Sequence, residues 1–80
     1  MTPDVIHVKT LSGFEIEAEF ATGEVRRLDM TPYLDYPAFA PLKVRSVFET
    51  AHVAYGTVVW SDEIDLSPDT LYLRGVAVQA

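Results

Sequence analysis

The sequence contains no cysteine at any of its 80 positions. Disulfides, thiolate nucleophiles, CxxC redox pairs and cysteine-based zinc sites are therefore all excluded. A domain this small without disulfide staples suggests a reducing compartment. Basic residues are also scarce: six Lys and Arg stand against twelve Asp and Glu, for a net charge of −6 and a pI near 4.6. Nucleic-acid binders neutralise phosphates with basic surface, and here only Arg26-Arg27 and the pair Lys43 and Arg45 cluster. Binding of nucleic acid by this chain alone is not expected. No apolar run approaches the roughly 20 residues that span a bilayer. The start, Met1-Thr2-Pro3-Asp4, lacks the basic and apolar stretches of a signal peptide, so the expected location is cytoplasmic. Gly13, Gly23, Gly56 and Gly75 stand apart, which leaves no phosphate-cradling loop.

What is present is an apolar content of 49%, enough for one core in one domain spanning residues 1–80. The clearest pattern is Phe14-Glu15-Ile16-Glu17-Ala18-Glu19-Phe20, a strict apolar–acidic alternation that only a half-buried strand explains. Phe14, Ile16, Ala18 and Phe20 are expected to face a core, and the three glutamates water. Before it, Val5 to Leu11 reads as a strand with Ile6 and Val8 on one face and His7 and Lys9 on the other. After it, Ala21-Thr22-Gly23-Glu24 reads as a tight turn, and Val25 to Asp29 as a returning strand with its arginines opposite the glutamates. Met30 to Phe39, with Pro32 and Pro37, suits a packed loop or a 3₁₀ turn. Pro41 to Glu49 suits a short helix with proline in its first turn and Val44, Val47, Phe48 and Ala51 along its apolar face.

Ala51 to Tyr55 and Thr57 to Trp60 read as two strands, or as one strand bulged at Gly56. Ser67-Pro68 opens a single helical turn with Ser67 as N-cap. The apolar end, Gly75 to Ala80, is expected to fray or to cover an edge. The predicted fold class is α+β: a mainly antiparallel sheet of three to five strands, one short helix and a C-terminal helical turn.

No motif for chemistry emerges. His7 and His52 lie in no HExxH or HxH context, and a zinc site built on them would need two carboxylates. They are expected on a strand surface and at a helix end. Asp62-Glu63-Ile64-Asp65, with Asp69 beyond, is the densest acidic cluster, but it lacks the glycine and the terminal glutamate of an EF-hand loop. It reads as a solvated acidic loop. Ser12, Ser46, Ser61 and Ser67 sit in no G-x-S-x-G context. No catalytic, cofactor-binding or metal-binding residue is assigned, no cofactor is expected, and the chain is read as a non-enzyme. Tyr33, Tyr36, Tyr55, Tyr72 and Trp60 could stack bases, yet with so few cations they fit packing or a protein interface better.

Several residues together carry a resemblance. Phe20-x-x-Gly23-x-x-Arg26-x-x-Asp29, Tyr33-Leu34, Phe39-x-x-Leu42 and Phe48 are followed by Gly56-Thr57-Val58-Val59-Trp60 and Ile64-Asp65-Leu66-Ser67-Pro68-Asp69-x-Leu71-Tyr72. From about Val5 to Tyr72 this resembles the bacterial domain-of-unknown-function family 2442 (DUF2442), with departures at Thr22 and Pro37 that bear on turn types. The resemblance implies a small α+β domain without established activity and with no catalytic residues to carry over. It also implies an antitoxin-like or partner-binding role, the partner being the product of a short neighbouring gene. Locally, Gly23 suits the turn, Asp29 a cap on the following loop, Trp60 the core, Asp65 a tie to the next turn, and Pro68 a helix start. The leading expectation is a protein-interaction module, with a homodimer as one form. The alternative is a nucleic-acid-associated regulator working through a basic partner. Strand Val5–Thr10 and the tail Val76 to Val78 are the candidate edges; the tail either pairs with another chain or folds back over its own sheet.

Overall fold

Why the glutamate strand settles the architecture is plain in the computed structural model, which describes residues 2–61 and 64–78. Ile16, Ala18 and Phe20 are fully buried, and β2 (Glu15–Phe20) lies between β1 (Val5–Thr10) and β3 (Val25–Asp29), antiparallel to both. Phe14 falls in the preceding turn, half-buried against the same core. The glutamates are half-exposed rather than free, because the register sets Lys9, Glu17 and Arg27 in one row. Glu17 accepts from Arg27 Nε at 2.9 Å and pairs with Lys9 Nζ at 3.2 Å, so one carboxylate links three strands. Arg26 cannot join that face, since neighbours on a strand point to opposite sides. It sits opposite buried Ala18 instead, which corrects the expectation that both arginines lie opposite the glutamates of β2.

A register shift between Val5 and His7 also corrects the face expected for β1: Val5 is buried and Ile6 is turned outward. Turning from β2 to β3, Gly23 has φ +91°. At the far side of the sheet, β7 (Val76–Ala77) pairs antiparallel with β3 at Arg26 and Arg27. The apolar tail thus covers the edge of its own sheet, giving the order β1-β2-β3-β7.

The remaining strands form a second sheet, β4-β5-β6, from β4 (His52–Ala54), β5 (Thr57–Ser61) and β6 (Ile64–Leu66). The two-strand reading around Gly56 is the one found: Tyr55 and Gly56, at φ 55° and 74°, form a two-residue hairpin turn of the positive-φ kind that matches strand twist. The α+β class holds, with the antiparallel strands shared between two sheets. Between the sheets run 3₁₀ segments at Thr31–Tyr33 and Pro37–Lys43, then α1 (Arg45–Phe48). The helix expected from Pro41 to Glu49 is broken at Val44, whose extended backbone (ψ 116°) separates the 3₁₀ run from α1. Val44 is therefore exposed, and Leu42 takes the buried place expected of it. Likewise α2 (Pro68–Arg74) makes seven residues rather than one turn; Ser67 holds the N-cap position without a side-chain hydrogen bond.

Both sheets share one core. Trp60 joins them: its indole N–H donates to the Phe48 carbonyl at 2.9 Å and its ring stacks on Phe48 (centroids 6.2 Å), which meets Phe14 edge-on at 5.3 Å. Thr50 Oγ1 lies 2.7 Å from the Val47 carbonyl and 3.1 Å from that of Trp60. Buried Thr57 donates its hydroxyl to Leu66 O. Arg45 fastens α1 to the β1–β2 turn through the carbonyls of Leu11 (2.8 Å) and Gly13. No helix among the described residues is long and apolar enough to cross a membrane.

Ile16→Ala should lower unfolding free energy by about 2–4 kcal/mol, the range for a fully buried aliphatic residue. Glu17→Ala should cost under about 1 kcal/mol, since its cation partners Lys9 and Arg27 stand in solvent and such pairs contribute little. Urea titrations of both variants check this, and equal losses would contradict the register. Trp60→Phe should cost roughly 2–4 kcal/mol, from a shrunken side chain and a buried carbonyl left without its donor.

Candidate functional site

Asp29, the last residue of β3, accepts the Thr31 backbone N–H at 2.9 Å, capping the loop as its sequence position suggested. Hydrogen bonds from the Thr31 side chain and backbone hold its carboxyl below the usual aspartate range. Beyond it, β7 reaches only as far as Arg27 along β3. Ladder alternation turns the backbone groups of Asp29 towards that uncovered stretch. An open groove of about 740 Å³ lies there, lined by Glu15, Arg27, Asp29, Tyr33, Arg74 and Val76 among others. Leu73 and Val76, 74% and 71% exposed, stand on either side of Gly75, and Val76 lines the groove. The tight α2–β7 junction depends on Gly75: a Cβ there would lie 2.5 Å from Leu71 O and 3.3 Å from Arg27 O.

On the opposite face of β3, Arg26 lies flat on Tyr72 of α2, its Cζ 4.2 Å from the ring centroid. Arg26 Nη2 donates to Glu24 at 2.9 Å, and the Tyr72 hydroxyl donates to the same carboxylate at 2.8 Å. Those bonds, that from Tyr72 foremost, hold the Glu24 carboxyl below its ordinary range. Tyr72 also meets Phe20 edge-on at 5.2 Å. Arg26 Nε is buried with no hydrogen-bond partner among the described residues, the cost of laying the guanidinium on the ring. This cluster clasps α2 to the β2–β3 turn. It has the form of a fastening rather than a reaction centre, because each polar group but that one is spent on its neighbour.

The candidate residues from the sequence do not converge. His7 is exposed on β1, and His52 opens β4 instead of ending a helix, its Nδ1 2.9 Å from Thr50 O. Among the described residues no three His, Asp or Glu side chains come together as a metal site. Asp62 and Glu63 of the acidic cluster lie outside the described residues, while Asp65 belongs to strand β6, exposed opposite Val59, and not to a loop. Trp60 is buried, Pro68 begins α2, and Gly23 makes the turn, so three of the singled-out residues serve the backbone and the core. Of the aromatics, Tyr72 and Tyr33 pack partly inward, while Tyr36 and Tyr55 are exposed. Sequence reasoning missed the Glu24–Arg26–Tyr72 clasp. Its signal was the Arg26-Arg27 pair within a strand, where one arginine must point inward.

Residues 5–77 match the family described as "Protein of unknown function (DUF2442)". The chain belongs to that family. No curated protein matches it. A crystal structure from Nitrosomonas europaea, described as "Putative DNA Binding Protein NE0471", is similar to the DUF2442 chain with a TM-score of 0.78 and 28% identity. The similarity covers 90% of the present chain and 48% of that protein, so the present chain spans about half its length.

Glu17, Glu24 and Asp29 all have depressed carboxyl pKa values in the fold. Such groups contribute stability that is full above their unfolded values and is lost as pH falls through the folded ones. Stability should therefore hold down to about pH 5 and decline below it. Tyr72→Phe, which removes the main cause of the Glu24 shift, should make that acid decline shallower. Urea midpoints at pH 7, 5, 4 and 3 test this, and parallel curves for the two proteins would contradict it.

Proposed function

We propose that this chain is a non-enzymatic protein-interaction module whose contact surface is the groove and edge beside β7. The observation that carries the reading is the pair Leu73 and Val76, large apolar side chains held in solvent on ordered backbone around Gly75. Exposed apolar side chains beside an open groove and a sheet edge suit a partner that covers them. The partner is another protein, the product of a short neighbouring gene or a second copy of this chain. On this reading the chain carries no catalytic role of its own.

A second reading draws on the Nitrosomonas europaea neighbour. That protein is described as DNA-binding, and the present chain corresponds to about half of it. With a net charge of −6, this half suits the part that does not touch DNA. On that reading the module serves a nucleic-acid-associated complex through a partner that supplies the basic charge.

Light scattering across a concentration series, with affinity purification from the native cell, tests both. Wild-type chain should self-associate or recover one stoichiometric protein, and L73D/V76D should lose it while staying folded. A 20-base-pair duplex should bind the isolated chain no tighter than about millimolar at physiological salt. A monomeric chain whose co-eluting proteins are unchanged by L73D/V76D would refute the module, and tight duplex binding would refute the division of charge.

A further inference from the structure

Two backbone irregularities meet at the end of the molecule remote in sequence from β7. The first is the register shift in β1, which turns Ile6 outward to 44% exposure. Bulges of this kind re-aim a side chain and recur beside functional sites. The second is the β4–β5 turn, where Tyr55 takes φ 55° and is 100% exposed. A two-residue turn with both φ values positive favours Asn-Gly, Asp-Gly or Gly-Gly. A bulky aromatic there carries backbone strain and leaves its whole ring in water, with no packing in return. One hydrogen bond, from the Val5 N–H to the Gly56 carbonyl at 2.9 Å, ties the two irregular segments together. The fold itself asks for neither side chain at its position.

We infer that Tyr55, with Ile6 beside it, is an anchor for a protein partner that offers an apolar cleft bordered by Lys and Arg. Tyrosine is among the residues that dominate interface energetics, because it brings large rigid area at low entropic cost. The charge of the rim comes from the surroundings. The Asp4 carboxylate packs on Gly56, close enough that a Cβ there would lie 2.7 Å from Asp4 Oδ1. Thr2, two residues before it, donates to Asp69 at the start of α2. The Asp4 carboxylate therefore adjoins the anchor, and Asp69 is tied to the same leading segment, on a chain whose total charge is −6. A basic rim complements them and steers the encounter. The inference rests on the reading of the chain as an interaction module, and it places a contact on a different surface from the β7 edge.

The test has two arms. In the first, Tyr55→Asn restores the preferred Asn-Gly turn, and its Tm should rise by about 2–6 °C. An unchanged or lower Tm would mean that the fold needs Tyr55, and would overturn the inference. In the second, a benzophenone amino acid is placed at position 55, at position 6 or at position 73 in the native cell and irradiated. Positions 55 and 6 should cross-link one basic protein. Purified, that protein should bind the wild-type chain with an affinity that falls with salt, and should lose at least 10-fold on Tyr55→Asn. Cross-links from 55 to a second copy of the chain, to an acidic protein or to nothing would overturn the basic-partner assignment. If 73 cross-links a partner while 55 does not, the interaction module stands and this anchor falls.

Discussion

The packing of Trp60 on Phe48 is the contact through which the two sheets share one core. Trp60 is the bulged residue of β5, and its N–H reaches across to the carbonyl at the end of α1, while its ring lies on Phe48. Phe48 in turn carries Phe14, which stands in the turn just before β2. Neither sheet could bury its apolar face alone: β4-β5-β6 has only short strands, and β1-β2-β3-β7 needs a cover for Ile16, Ala18 and Phe20. The aromatic row supplies that cover, and α1 exists to place Phe48 in it. A four-residue helix is not stable by itself, so it is the packing of Phe48 and the three carbonyl and carboxylate contacts of Arg45 that hold it.

Sequence pattern revealed the parts of this fold that repeat with a period and missed those set by a single residue. The alternation of Phe14 to Phe20 gave β2 its faces, and the bounds of β3 followed from the turn at Gly23. What stayed hidden was the one-residue slip at Ile6, because a bulge breaks no compositional rule and changes only which face each side chain joins. The break at Val44 was equally silent, since a valine is acceptable on either side of it. The two candidate surfaces were less legible still. Exposure of Leu73, Val76 and Tyr55 depends on what other elements leave uncovered, and the sequence assigns apolar residues to a core by default.

Charge is distributed unevenly between structure and surface. Lys9 and Arg27 are engaged by Glu17, Arg26 by Glu24 and Tyr72, and Arg45 by Glu49 and two backbone carbonyls. The scarce cations are thus largely consumed in fastening strands, turns and helices. Carboxylates without such duties, Asp4, Asp65 and Asp69 among them, are left at the surface. Those pairs cancel locally, so the net charge of −6 is presented by the carboxylates outside them.

The placement of β7 has a consequence for the order of events in folding. The strand that closes the β3 edge comes from the far end of the chain, after both sheets and α2. Hairpins β1–β2–β3 and β4–β5 join neighbours in sequence and can form within microseconds, while the β3–β7 pair must wait for a long loop to close. During synthesis the ribosome delivers β7 after the strands and helices that precede it. Until it arrives, β3 presents bare main-chain donors and acceptors at Val25 and Arg27, and a chaperone or a second nascent chain would meet the same edge that β7 later occupies.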